Sequence, residues 1–171
     1  GADRRAPDLA RTDPSTFLLA TYLRGLGQVS RSEWRAAVAS LDVVGADAAA
    51  RAGLAEIVPW ARYYLGWAAV RAGSLDRAAA VLDELTAAVP AHEVAQRALF
   101  LAGWARFGLQ QWDTAAARFD RAAAGKAADI ALRSRYLRAK SLQNGGKLAE
   151  ASAAFRALAD ATPPSDLADA A

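Results

Sequence analysis

The chain has 171 residues, 54% of them apolar and 23% charged, with a net charge of +3 at pH 7. That suits one ordinary domain or a short run of repeats, and it is too apolar for wholesale disorder. With no cysteine and a single histidine, there can be no disulfide framework, thiolate zinc site, cysteine nucleophile, histidine triad or multi-histidine metal site.

Taken in chain order, residues 1–16 read as a loose lead-in of mixed charge. The apolar pattern becomes helical at 17, and a first helical pair is expected over 17–44, with Gly25 and then Trp34, Ala37, Leu41 and Val44. Residues 45–58 are an insertion that has room for a short extra helix before Pro59. A second pair over 59–90 carries Leu65-Gly66, Gly73, then Leu75, Ala78, Leu82, Leu85 and Pro90. A third over 96–127 carries Ala102-Gly103, Gln110, then Trp112, Ala115, Phe119 and Ala122. A fourth over 131–162 carries Ala139, the turn Asn144-Gly145-Gly146, then Leu148, Ala151, Phe155 and Leu158. Pro163-Pro164-Ser165 is a good helix start, so 163–171 read as the beginning of a further or capping helix in a longer protein.

The equivalent residues Ala37, Ala78, Ala115 and Ala151 are 41, 37 and 36 residues apart. Each stripe runs i, i+3, i+7, i+10, which is one face of an α-helix. The small residue in its middle lets a neighbouring helix come close, as Gly66, Gly103 and Ala139 do on the preceding helix. No pair could hide its apolar face alone, so stacking must build the core. No stretch alternates with period two, and the fold class is all-α.

Leu65-Gly66, Gly73, Ala78, Leu82 and Pro90 resemble the tetratricopeptide repeat, and the slightly long period resembles variants in bacterial envelope proteins. Ala78, Leu82, Pro90, Ala95 and Ala98 also share their spacing with Ala151, Phe155, Pro163, Ala168 and Ala171, which resembles repeats of Tol-Pal coordinator proteins and outer-membrane assembly lipoproteins. The resemblance covers 17–171 as a single array. It departs at Arg138, where the family prefers leucine, and in the first pair, which lacks the turn glycine and the closing proline. It implies helix-turn-helix repeats stacked in a right-handed α-solenoid, with the first helix of each pair lining a superhelical groove.

On that lining the helical spacing sets Tyr63, Trp67 and Val70 beside the small pair of the second copy. Their equivalents are Phe100, Trp104 and Phe107 in the third, Tyr136, Lys140 and Gln143 in the fourth, and Tyr22, Leu26 and Val29 in the first. Tyr22, Tyr63, Phe100 and Tyr136 thus form an expected aromatic column, beside Leu26, Trp67, Trp104 and Lys140. Arg133, Arg135, Arg138, Lys140 and Lys147 form a basic run with no acid between Asp129 and Glu150, and Arg133 and Lys140 fall on the lining. The partner-binding candidates are therefore Tyr63, Trp67, Phe100, Trp104, Phe107, Arg133, Tyr136 and Lys140. Aromatics bury much area with few rotors to freeze, and the cations suit acidic or carboxylate groups. The column could also pack on itself, or be filled by another part of the chain.

No catalytic constellation is legible. His92 follows Pro90 in a turn and reads as a surface or helix-start residue. Asp83 and Glu84 are adjacent and point about 100° apart on a helix, so they cannot converge as an acid pair. There is no phosphate-cradling glycine loop, no expected cofactor or metal, and no apolar run of the roughly 18–20 residues that would span a membrane. The pI near 9.6 comes from a small excess of charge rather than the dense basic stripe of a nucleic-acid domain. Trp34 and Trp112 fall on the helix-packing stripe. The expected function is a non-catalytic protein-interaction scaffold or adaptor that takes a partner helix or peptide in the aromatic groove. A ligand- or peptide-sensing domain of a larger regulator and a structural spacer are the alternatives, and self-association stays open. Absent cysteine and the alanine and arginine bias favour a bacterial periplasm or envelope over the cytoplasm. Trp67 and Trp104 are expected to be exposed, and replacing both by alanine is expected to leave the fold intact.

Overall fold

The computed structural model describes residues 13–161; residues 1–12 of the expected lead-in and the expected further helix at 163–171 lie outside the described residues. The elements are α1 (Pro14–Ser30), α2 (Trp34–Asp42), α3 (Ala46–Arg51), one 3-10 turn (Ala55–Ile57), α4 (Val58–Arg71), α5 (Leu75–Ala88), α6 (Ala95–Gly108), α7 (Trp112–Ala123), α8 (Ala128–Asn144) and α9 (Leu148–Ala161). No strand occurs among the described residues, and the fold is an all-α repeat of helical hairpins. The chain divides into two compact units, residues 1–81 and 82–171, with the boundary inside α5.

In the first unit, α1 begins at Pro14 rather than near 17. Asp13 caps it: its carboxylate accepts the Thr16 backbone N–H at 3.0 Å and the Ser15 hydroxyl at 2.8 Å, and Pro14 supplies a pre-set φ at the first helical position. Those bonds, Thr16's before Ser15's, hold the Asp13 pKa down at about 2. Helix α2 packs on α1 and on α4. Its contact with α1 is close because Gly25 has no side chain, and a β-carbon there would meet Leu41 at 2.6 Å. Leu18, Leu41, Val44, Ala49, Ala61, Leu65 and Val81 are among the buried core, which Leu54 and Ile57 flank. The insertion is therefore a packed part of this unit, contributing Ala49 from α3 and an apolar flank around the 3-10 turn.

In the second unit, α7 packs on α6 and α8, and α9 packs on α8. Gly103 lies against Phe119, which is fully buried; burying a side chain of that size contributes about 1.5–3 kcal/mol.

The four hairpin turns share one backbone. Ser32, Gly73, Gln110 and Gly146 hold φ of 60°, 80°, 59° and 79°. In each, the N–H of the next residue donates to the carbonyl five residues back along the closing helix: Glu33 to Gln28, Ser74 to Ala69, Gln111 to Arg106, and Lys147 to Leu142. This is the Schellman end, which satisfies carbonyls that the helix leaves open. The missing glycine of the first pair is thus a change of residue, not of turn.

Candidate partner-binding surface

In the first unit the aromatics form a connected cluster. Trp67 lies 6.3 Å from Trp34 and 6.0 Å from Tyr64 between ring centroids. Tyr64 is 5.2 Å from Tyr63, and Trp60 is 6.4 Å from each of these tyrosines. Arg71 places its guanidinium 5.1 Å over the Trp34 ring, a cation–π contact. Trp34, Tyr64, Trp67 and Tyr22 all pack on the buried core, and burial, then neighbouring Tyr64, raises the pKa of the Tyr22 phenol. Trp67 is thus half-buried, not exposed as its spacing led us to expect. The reason is geometric: α4 packs on α2, and that brings Trp34 up to Trp67.

In the second unit, Phe100 turns its edge to Phe119 at 5.9 Å, and Tyr136 turns its edge to Phe155 at 6.0 Å, both at 62°. These are the same contact in successive pairs. Each column aromatic is anchored by the second helix of its own hairpin. Trp104 differs: it is 46% exposed, and its ring lies nearly parallel to Phe107, 19° apart with centroids at 6.4 Å. Phe107 is in turn held edge-on by Trp112 at 5.0 Å. The other described tryptophans are half-buried.

The basic run is partly neutralised. Arg138 Nε meets Asp120 Oδ1 at 2.9 Å, which gives the departure from leucine a partner on α7, and Lys147 Nζ meets Asp113 Oδ1 at 2.8 Å. Arg133 and Arg135 are exposed, and Lys140 donates to the Gln143 side chain at 3.3 Å. None of those three has an ion pair among the described residues. Helices α6 and α8 touch, so Trp104 and Lys140 occupy equivalent positions on adjacent first helices.

Two polar arrangements escaped the sequence reading. Asp83 on α5 accepts from Arg118 Nε at 2.6 Å and from Arg106 Nη2 at 2.7 Å, and Arg106 also reaches the Gln111 side chain at 2.6 Å. Burial pushes the Asp83 pKa up, but the hydrogen bonds from Arg118 and Arg106 and their charges outweigh it and hold it below the usual carboxylate value. On α6, the Gln96 amide donates to the carbonyls of Ala122 and Ala127 at 3.0 and 3.1 Å and accepts the Ala127 N–H at 2.9 Å. It fills the space that the absent side chain of Gly125 leaves. The partners are 23 to 35 residues apart, and no periodicity connects them.

A cavity of about 570 Å³ between the turn at Pro90–Arg97 and the turn at Gly125–Ile130 holds His92, Glu93 and Lys126. His92 Nδ1 accepts the Val94 N–H at 3.2 Å, a local contact near the start of α6. Among the described residues, no three or more acids, histidines or cysteines are grouped to hold a metal, and no helix is long and apolar enough to cross a membrane.

The tetratricopeptide repeat family model matches residues 60–92 and 97–124. No curated protein and no solved structure matches the chain. The two matched stretches span the second hairpin and most of the third, α4 with α5 and α6 with α7. These two hairpins are thus similar to tetratricopeptide repeats, a family whose members generally mediate contacts between proteins.

Proposed function

We propose that this chain is a non-catalytic interaction module whose second unit takes an apolar anchor of a protein partner on Trp104, with acidic or carboxylate groups of that partner directed to Lys140 and Arg133. The observation that carries this reading is the exposure of Trp104. An indole left 46% exposed yet held flat by Phe107, which Trp112 holds in turn, is a rigid apolar platform. A rigid aromatic loses little rotamer freedom on binding. Lys140 and Arg133, two cations without acidic partners, lie about one helical turn to either side of Tyr136 on the neighbouring first helix, and charge-assisted bonds to a carboxylate are stronger than neutral ones. Phe100 and Tyr136, held edge-on by Phe119 and Phe155, support this lining rather than present it.

The scaffold or adaptor role rests on the repeat class. A bacterial envelope location is proposed from the composition and from the slightly long repeat period. A displayed random-peptide library panned on the purified chain tests the binding reading. Enriched sequences should combine a large apolar residue with acids, and should lose about tenfold or more in affinity against Trp104→Ala, the scale of one buried anchor. Failure to enrich any sequence, or equal binding to Trp104→Ala, would sink it.

A further inference from the structure

The chain contains one asparagine, Asn144, and Gly145 and Gly146 follow it. Asn144 is the last residue of α8, and residues 143–147 are all exposed. With no β-carbon at residue 145, the Gly145 backbone nitrogen can approach Asn144 Cγ without hindrance. In the closed turn it is held back, because its N–H donates to the Ser141 carbonyl at 2.9 Å. Two further bonds cross residue 144, from the Gly146 N–H to Gln143 at 3.1 Å and from the Lys147 N–H to Leu142 at 2.9 Å. All three lie at the end of a helix, where local opening costs least. The Lys147–Asp113 ion pair adds little resistance, since its side chains are 43% and 74% exposed.

We propose that Asn144 is a site of spontaneous deamidation, reached when the α8–α9 turn opens, and that the modification then keeps the turn from closing properly. The Gly145 nitrogen loses its proton to base and attacks Asn144 Cγ. A cyclic imide closes as the Cγ–Nδ2 bond breaks, and the side-chain nitrogen takes up a proton and leaves as ammonia. Water then opens the imide. Cleavage of its bond to Cγ gives aspartate, and cleavage of its bond to the main-chain carbonyl gives a β-linked aspartate, with the backbone now running through the side chain. The β-linked product lengthens the main chain inside all three turn bonds, so their donors and acceptors no longer match. Either product places a carboxylate at the negative end of the α8 dipole, one turn from Lys140, which has no acidic partner among the described residues.

The test uses the 171-residue chain, held for several weeks at mildly alkaline pH beside Asn144→Ala and a synthetic peptide of residues 138–149. Wild type should gain one mass unit and release ammonia, with the gain mapping to residue 144. Its rate should lie below that of the peptide and rise in guanidinium chloride. Asn144→Ala, which has no amide there, should keep its mass over the same period. The β-linked fraction, separated by ion exchange, should melt below Asn144→Asp, which carries the same charge on a normal backbone. A wild-type mass that stays constant while the peptide converts overturns the proposal, as does a gain that maps only to glutamines. A rate that guanidinium leaves unchanged overturns the passage through an opened turn. A β-linked fraction that melts together with Asn144→Asp overturns the damage to the turn.

Discussion

Gly103 faces the ring of Phe119 so closely that a β-carbon at residue 103 would sit 2.7 Å from Cε1. The ring has little room to swing aside, because Phe119 is fully buried and also meets Phe100. Gly103→Ala should therefore destabilise the protein by about 1–3 kcal/mol, the usual cost of overpacking, despite alanine's better helix propensity. The denaturant midpoint measures it, and an unchanged or raised midpoint would contradict the contact.

Asp83 ties α5 to α6 and α7 through two guanidinium groups whose side chains are 24% and 25% exposed. Removing the carboxylate leaves both cations poorly solvated, so Asp83→Ala should cost about 1–3 kcal/mol. The pH dependence has a definite sign. Asp83 is depressed in the folded state, so its stabilisation is present above the unfolded carboxylate pKa of about 3.9 and is lost as pH falls through the lower folded value. The wild-type denaturant midpoint should drop more steeply with acid below about pH 4 than that of Asp83→Asn. Parallel curves would remove Asp83 from the acid response.

Ser32 and Gln110 pay left-handed strain that Gly73 and Gly146 avoid at the same turn position. The strain on an L-residue there is about 1 kcal/mol or more, offset in part by glycine's greater freedom when unfolded. Ser32→Gly and Gln110→Gly should each raise stability by about 0.5–1 kcal/mol. Gly73→Ala should lower it by a similar amount or more. Thermal melts of the three variants decide this, and a destabilising Gln110→Gly would indicate that its side chain matters more than its φ.

Trp67 and Trp104 should separate in their effects. Trp67→Ala removes ring contacts to Trp34 and Tyr64 and should cost about 2–4 kcal/mol, somewhat under a fully buried tryptophan. Trp104→Ala should change stability by less than about 1 kcal/mol. Near-ultraviolet circular dichroism should lose far more signal in the first variant than in the second. Equal losses would mean that Trp104 is as deeply engaged as Trp67.

Helix type, hairpin pairing and the close approach of Gly103 were legible because helical periodicity is local and a small residue in an apolar stripe has one common use. The same logic failed at Trp67. Periodicity separates one face of a helix from another, but it cannot say how near the preceding hairpin stands, and here the nearness of α2 decides burial. Phe100 and Tyr136 were placed on a lining that their own second helices, through Phe119 and Phe155, turn into support. Trp104 was read as exposed and is so. The first pair lacks the turn glycine, yet Ser32 adopts the left-handed backbone at that place. Asp83 and Gln96 were invisible because their partners are 23 to 35 residues away and no periodicity links them.

The Gln96 clamp also bears on how the lining could breathe. Three hydrogen bonds pin the start of α6 to the link between α7 and α8, so the fourth hairpin can rock against the third with least disruption about this point. Trp104 lies eight residues along α6 from the pin, roughly 12 Å at 1.5 Å per residue. A rotation of about 10° would then change the gap opposite the indole by roughly 2 Å, on the order of a methyl group. The third and fourth hairpins would behave as jaws with a fixed heel and an adjustable tip, admitting side chains of different bulk at Trp104 without disturbing the joint that holds them.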